Sequence, residues 1–132
     1  MIPFDFNYYK PDTLDELFAC VASLKTEAET FVYYAGGTEL VTSFRKNKIN
    51  TKNVIDLKGI KEMCQIITVE DSVRIGACVT LNDVIACDAL SALHPVLDKI
   101  ADHTVRNALT IGGNLMGRLP YREAVMPLLS LD

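Results

Sequence analysis

Two glycine pairs constrain this chain more than any other feature. "YYAGGTEL", Tyr33 to Leu40, sets Gly36 and Gly37 between an aromatic, β-like run and a helix start; "LTIGGNL", Leu109 to Leu115, sets Gly112 and Gly113 in a similar frame. Glycine permits positive φ and lets a backbone approach its neighbour without a Cβ in the way. A loop entering a helix also exposes unpaired N–H groups, and the helix dipole favours negative charge there. Two readings stay open. The pairs are structural turns, or Gly36, Gly37, Thr38 and Gly112, Gly113, Asn114 form two donor sets that converge on one diphosphate. Neither GxxxxGK[ST] nor GxGxxG is present; Gly112, Gly113 and Gly117 give GGxxxG instead. Glu39 has to turn away from any phosphate held by the first loop.

Around these pairs the chain alternates between helical and strand patterns. Thr13 and Glu16 fit a capping box for a helix over Pro11 to Leu24, with Leu14, Leu17, Phe18 and Val21 at helical spacing. "FVYYA" and "NVIDL" read as strands, with a short helix from Thr38 between them. "GIKEM" reads as one helical turn, and "CQIITVEDSVRIGACVT" as a hairpin turning at Glu70 to Ser72. Thr80 and Asn82 offer N-caps for the next helix. Pro95 opens another, with Val96, Leu97, Ile100 and Ala101 as its core stripe. "VRNALTIGGNLMGRLP" is expected to be irregular around the second pair, followed by the apolar tail "EAVMPLLSLD". The order predicts an α+β fold with an N-terminal β/α lobe over 1–57 and a second lobe over 58–132.

The 132 residues suit one domain and a real core, with 49% apolar and 23% charged residues. The net charge of −4, without any basic stripe, argues against nucleic acid. The start lacks a basic segment followed by an apolar stretch, and no apolar run is long enough to span a bilayer, so a cytoplasmic protein without membrane contact is expected. Cys20, Cys64, Cys78 and Cys87 form no CxxC and are expected as free thiols that bind no metal. His94 is expected as a capping or surface residue; His103 is placed near a helix end, where an imidazolium would suit the dipole.

"AGGTEL", "IGACVTLNDV" and "VRNALTIGGNL", in this order and spacing, with "PFDFNYYKPDTLDELF" and "NVIDLKGIKEM", resemble the FAD-binding domain of the molybdenum hydroxylases. That family includes xanthine dehydrogenase and the carbon monoxide dehydrogenase medium subunit. The resemblance runs through essentially the whole chain. It implies the two-lobed α+β fold of vanillyl-alcohol-oxidase-like (PCMH-type) flavoproteins, with FAD extended between the lobes and its diphosphate against both glycine loops. By position it implies cofactor contacts from Tyr33, Tyr34, Ala35, Gly36, Gly37, Thr38, Glu39 and Leu40, and from Thr110, Ile111, Gly112, Gly113 and Asn114. It further implies an acidic FAD contact at Glu123, three residues beyond Pro120. The position of an aromatic residue near the flavin in some members falls at Ile100. No catalytic acid, base or metal ligand is implied in this chain.

The implied activity is electron transfer: iron–sulfur clusters of a partner subunit reduce FAD, which passes electrons to NAD or another acceptor, while a molybdopterin subunit oxidises the substrate. The sequence departs from the family at "LPYREAVM", Leu119 to Met126, where members usually carry "DPxxDLPP". It is also about half the length the resemblance implies, so the C-terminal portion of the FAD domain is expected to be missing or supplied by a second chain. Two rival readings are an assembly module that keeps the fold without FAD and a free-standing binder of another nucleotide.

Overall fold

The computed structural model describes residues 1–118 and 120–130. Leu119 of the loop after the second glycine pair, and Leu131 and Asp132 of the apolar tail, lie outside the described residues.

The first lobe is a β-α-β-α-β unit: β1 (Asn7–Tyr9), α1 (Leu14–Thr26), β2 (Phe31–Tyr34), α2 (Thr38–Arg45) and β3 (Asn53–Asp56). The sheet is wholly parallel in the order β1-β3-β2, with Tyr8 and Val32 both opposite Val54. All four β3 residues are buried, as expected of a central parallel strand covered on both faces. β1 was not foreseen, because three exposed residues at a sheet edge carry too little alternation to be recognised.

Thr13 caps α1 by accepting from the Glu16 N–H, so the helix starts at Leu14 rather than Pro11. The Glu16 carboxylate returns one residue further back than a capping box requires, to the Asp12 N–H. The helix buries Leu17, Val21 and Leu24 against Ile55 and Ile60, whereas Leu14 and Phe18 of the expected apolar face are exposed. Ile60 and Met63 belong to this cluster, so the packing of the first lobe runs past Leu57. On the other side of the sheet Phe44 of α2 is buried, with Phe4 at 5.2 Å and Phe6 at 5.9 Å between ring centroids.

The second lobe begins with the hairpin of β4 (Ile66–Val69) and β5 (Ser72–Ile75). Short helices follow: α3 (Leu81–Ile85), a 3₁₀ stretch over Asp88–Leu93, α4 (His94–Leu97), α5 (His103–Arg106), α6 (Ile111–Met116) and α7 (Val125–Leu129). Their core joins Val79, Leu81, Val84, Leu93, Leu97, Ile100 and Ile111. Thr80 caps α3 in a full capping box with Asp83. Asn82 is no cap; it lies inside α3 and its side chain reaches His103 and Asn107. Among the described residues all four cysteines are free, and no helix is long and apolar enough to cross a membrane.

Three expectations in this lobe need correction. The helix at Pro95 ends at Leu97, and Val96 and Ala101 are exposed rather than part of a core stripe. The cause is Arg106, which opens a competing set of bonds. Its buried guanidinium donates to the carbonyls of Asp98, Ile100 and Ala101, and to Asn82 Oδ1, so the segment curls around it. Consequently His103 starts α5 instead of closing a helix. The second glycine pair, expected in irregular structure, lies within α6.

Arg106→Ala leaves several buried acceptors unpaired and is expected to cost about 2–4 kcal/mol, read as a lower urea midpoint with an unchanged m value.

Candidate functional site

β2 ends at Tyr34, and the chain turns through Ala35, Gly36 and Gly37 into α2. Gly37 is the N-cap at φ +75°, a left-handed conformation that L side chains rarely adopt. A Cβ there would also lie 2.4 Å from the Tyr34 ring. Gly36 has a different constraint: its Cβ would lie 1.8 Å from the Ala108 carbonyl oxygen, so only glycine permits the first loop to rest on the second lobe.

No side chain caps α2, and Val41 is the first residue whose N–H returns to the turn, bonding Gly37 O at 2.9 Å. Among the described residues no acceptor meets the N–H groups of Gly36, Gly37, Thr38, Glu39 or Leu40. All five residues line one cleft of about 390 Å³. The open first turn therefore presents oriented donors and the positive end of a helix dipole to that cleft.

The second pair behaves differently. Thr110 caps α6, accepting from the Gly113 N–H at 3.1 Å. The Gly112 N–H bonds Ala77 O at 2.9 Å, and the Asn114 N–H bonds Thr110 O at 2.9 Å. The donor set expected at Gly112, Gly113 and Asn114 is thus already engaged within the protein. These residues still wall the cleft, with Thr110, Ala77 and Gly117 beside them.

Glu39 resolves the difficulty of a carboxylate at an anion site. Its two oxygens accept from the Arg118 N–H at 3.2 and 3.0 Å, tying α2 to the segment after α6. Asn114 is fixed likewise: its amide donates to Glu123 Oε2 at 3.2 Å and accepts from the Ala124 N–H at 3.1 Å.

Of the residues singled out by sequence, Tyr33, Ala35, Gly36, Gly37, Thr38, Glu39, Leu40, Thr110, Gly112, Gly113 and Asn114 meet at the cleft. Tyr34 does not, because neighbouring residues on a strand point to opposite faces; it lines a hollow on the other side with Tyr8, Asp56 and Lys58. Ile100 and Ile111 are buried in the second core, and Glu123 touches the cleft only through Asn114. Sequence reading missed Leu57, Ala77, Met116, Gly117 and Tyr121 as lining residues. Leu57 and Ala77 close predicted strands and were in principle accessible; the others depend on the path after α6.

Behind the first loop lies a buried polar group. Asp56 accepts from Lys58 Nζ at 2.7 Å, from the Lys58 N–H at 2.9 Å, and from the Tyr8 phenol. Burial pushes the Asp56 carboxyl up, but the hydrogen bonds from Lys58 and Tyr8 outweigh it and hold the group below its ordinary value. The same bond to Asp56, with burial, pushes the Tyr8 phenol up to about 12.

A parallel βαβαβ lobe, opening one uncapped helix N-terminus onto a cleft against a second α/β lobe, is the architecture of a nucleotide-cofactor-binding domain. A family profile described as the FAD binding domain in molybdopterin dehydrogenase matches residues 4–132, and the chain belongs to that family. Over 132 aligned residues it is 29% identical to the nicotinate dehydrogenase FAD-subunit of Eubacterium barkeri, covering 97% of this chain and 44% of that one. Over 119 it is 33% identical to the carbon monoxide dehydrogenase medium chain of Hydrogenophaga pseudoflava, covering 87% and 40%. A solved carbon monoxide dehydrogenase from that organism, lacking the Mo-pyranopterin moiety of its cofactor, superposes with a TM-score of 0.76 at 32% identity, again covering 87% and 40%. The chain therefore spans less than half the length of these relatives.

Gly37→Ala is expected to cost about 1–2 kcal/mol from its left-handed φ. Gly36→Ala is expected to cost more, because its Cβ meets a main-chain carbonyl that no rotamer change can move; urea denaturation of both variants checks the order. Asp56 contributes to the acid limb. Its folded value lies below the unfolded one, so its stabilisation is present above the ordinary carboxylate range and lost as pH falls through the lowered value. Asp56→Asn is expected to flatten the fall in stability on acidification below the ordinary carboxylate range, measured as urea midpoint against pH.

Proposed function

We propose that the chain is the FAD-bearing, electron-transfer module of a molybdenum-containing hydroxylase or dehydrogenase. The observation that carries this reading is the open first turn of α2, whose unpartnered N–H groups line the cleft between the lobes. That donor set fits a diphosphate: it is anion-selective, free of side chains at Gly36 and Gly37, and cleared of the Glu39 carboxylate. FAD, when bound, supplies reversible acceptance and release of electrons. The protein binds and orients it. Amides of Gly36 to Leu40 hold the diphosphate, and Gly112, Gly113 and Asn114 close the opposite wall without donating main-chain bonds. Leu40, Leu57, Ala77 and Met116 exclude water from the cleft, and Tyr33 and Tyr121 offer ring faces at its rim.

In this reading the electrons arrive from an iron–sulfur subunit, after a molybdopterin subunit has oxidised its substrate, and leave to NAD or another acceptor. The reading places the chain in a xanthine dehydrogenase-like assembly in the cytoplasm. Further sheet and a helical lobe, within the same chain or a second one, complete the cofactor site.

A second reading, an assembly module without flavin, is favoured by one observation: the second glycine pair has no free main-chain donors. The two separate on cofactor content. The full-length protein, purified with its co-purifying subunits, is expected to be yellow with about one FAD per chain and to retake FAD after stripping. A colourless protein that captures its partners and binds no added FAD would establish the module instead.

A further inference from the structure

The peptide between Ala35 and Gly36 lies just before the open turn of α2, and its carbonyl is not left to water. Ala35 O accepts from Lys58 Nζ at 2.8 Å. The same ammonium is 2.7 Å from Asp56 Oδ1 and 3.9 Å from the centroid of the Tyr34 ring. Asp56 is buried and held from its other oxygen by the Tyr8 phenol. Three contacts on Nζ, and a braced carboxylate beneath it, fix the ammonium in one place.

The position of Lys58 decides what it can do. Its side chain lines the hollow with Tyr34, Val41, Phe44 and Val54, not the cleft on the far side of the loop. It reaches the cleft only through the peptide it holds. In a trans peptide the C=O and N–H point in opposite directions, and there is no cis peptide among the described residues. Drawing Ala35 O toward Lys58 therefore turns the Gly36 N–H away from Lys58. Gly36 lines the cleft, and among the described residues its N–H has no acceptor.

We infer that Lys58 is a positioning residue for the anion site, aiming the Gly36 amide into the cleft by holding the Ala35 carbonyl from behind, with Asp56, Tyr8 and Tyr34 as its brace. The inference rests on the flavin dinucleotide reading above. It makes Lys58 a residue that sharpens diphosphate binding without touching the ligand, and it ties the N-terminal strand, through Tyr8, to the cofactor site.

The test uses the full-length protein with its co-purifying subunits, stripped of flavin. Calorimetric titrations with FAD, ADP and adenosine are run on the wild type, Lys58→Met and Lys58→Arg at two salt concentrations. Lys58→Met is expected to weaken FAD and ADP by about tenfold, the worth of one hydrogen bond to a charged ligand. Adenosine is expected to bind unchanged, and Lys58→Arg to recover most of the loss. The salt dependence of ADP binding is expected to be the same in Lys58→Met and wild type.

Equal ADP affinity in Lys58→Met and wild type would overturn the inference and leave the FAD reading standing. A flattened salt dependence would make Lys58 a direct phosphate ligand and overturn its role as a positioning residue. An equal loss of adenosine, with no recovery in Lys58→Arg, would reduce it to a structural prop and also overturn the inference. A wild type that binds neither FAD nor ADP would overturn the FAD reading and this one with it. Should Lys58→Met fail to fold, Lys58→Gln takes its place with the same expected direction and the same overturning result.

Discussion

The two lobes meet where there is no room for a side chain. Gly36 of the first lobe rests against the Ala108 carbonyl of the second, and within the second lobe Gly112 rests against Ala77, at separations a Cβ would violate. Main-chain bonds run alongside: Gly112 N–H to Ala77 O, Ile111 N–H to Val79 O, Leu81 N–H to Leu109 O. The segment carrying Ala108 to Ile111 is thereby laced to the start of α3, and the first loop is laid on top of it. This contact sets the angle at which α2 enters the cleft, and with it the direction of every free amide in the first turn. A larger residue at Gly36 does not merely crowd the ligand; it lifts one lobe off the other.

The same dipeptide does two physical jobs in one chain. At Gly36 and Gly37 it makes a left-handed entry to an eight-residue helix and leaves the donors open. At Gly112 and Gly113 it sits inside a helix whose first donors are met by Thr110 and by Ala77. The difference follows from which residue is the N-cap. Gly37 caps α2 and has no side-chain acceptor, so that helix begins open; Thr110 caps α6 with its hydroxyl, so that one begins closed. In the proposed reading one pair binds, and the other permits close packing beside what is bound.

That contrast shows how far the sequence could be read. Strands β2 and β3, the entry to α2, the hairpin, and the caps at Thr13 and Thr80 follow from local patterns that tertiary contacts do not override. The convergence of both glycine pairs on one cleft followed from the family resemblance. The engagement of Gly112 did not, because it depends on Ala77, more than thirty residues away in sequence, whereas Gly113 and Asn114 are met by the nearby Thr110. The early end of α4 and the exposure of Ala101 depend on where the Arg106 guanidinium goes, and no local signal announces a buried arginine. Ile100 was placed by position alone, and the core took it because Leu93, Leu97 and Ile111 surround it. Tyr34 was separable from Tyr33 by strand alternation; treating the loop as a continuous run obscured it.

The electrostatics of the cleft agree with its chain. A net charge of −4 gives no long-range attraction for a diphosphate, and the Lys58 ammonium near the loop is paired with Asp56. What attracts an anion is local: fixed amide dipoles on a rigid turn, in a recess where water is partly excluded. Such donors are already ordered before the ligand arrives, so binding does not have to immobilise long basic side chains. Their reach is short, which favours a ligand anchored elsewhere as well. A dinucleotide meets that condition, because rings at either end can seek apolar and aromatic surface while the diphosphate sits at the turn. Inorganic phosphate does not, so in the proposed reading the site discriminates between them through the walls around the turn rather than through charge.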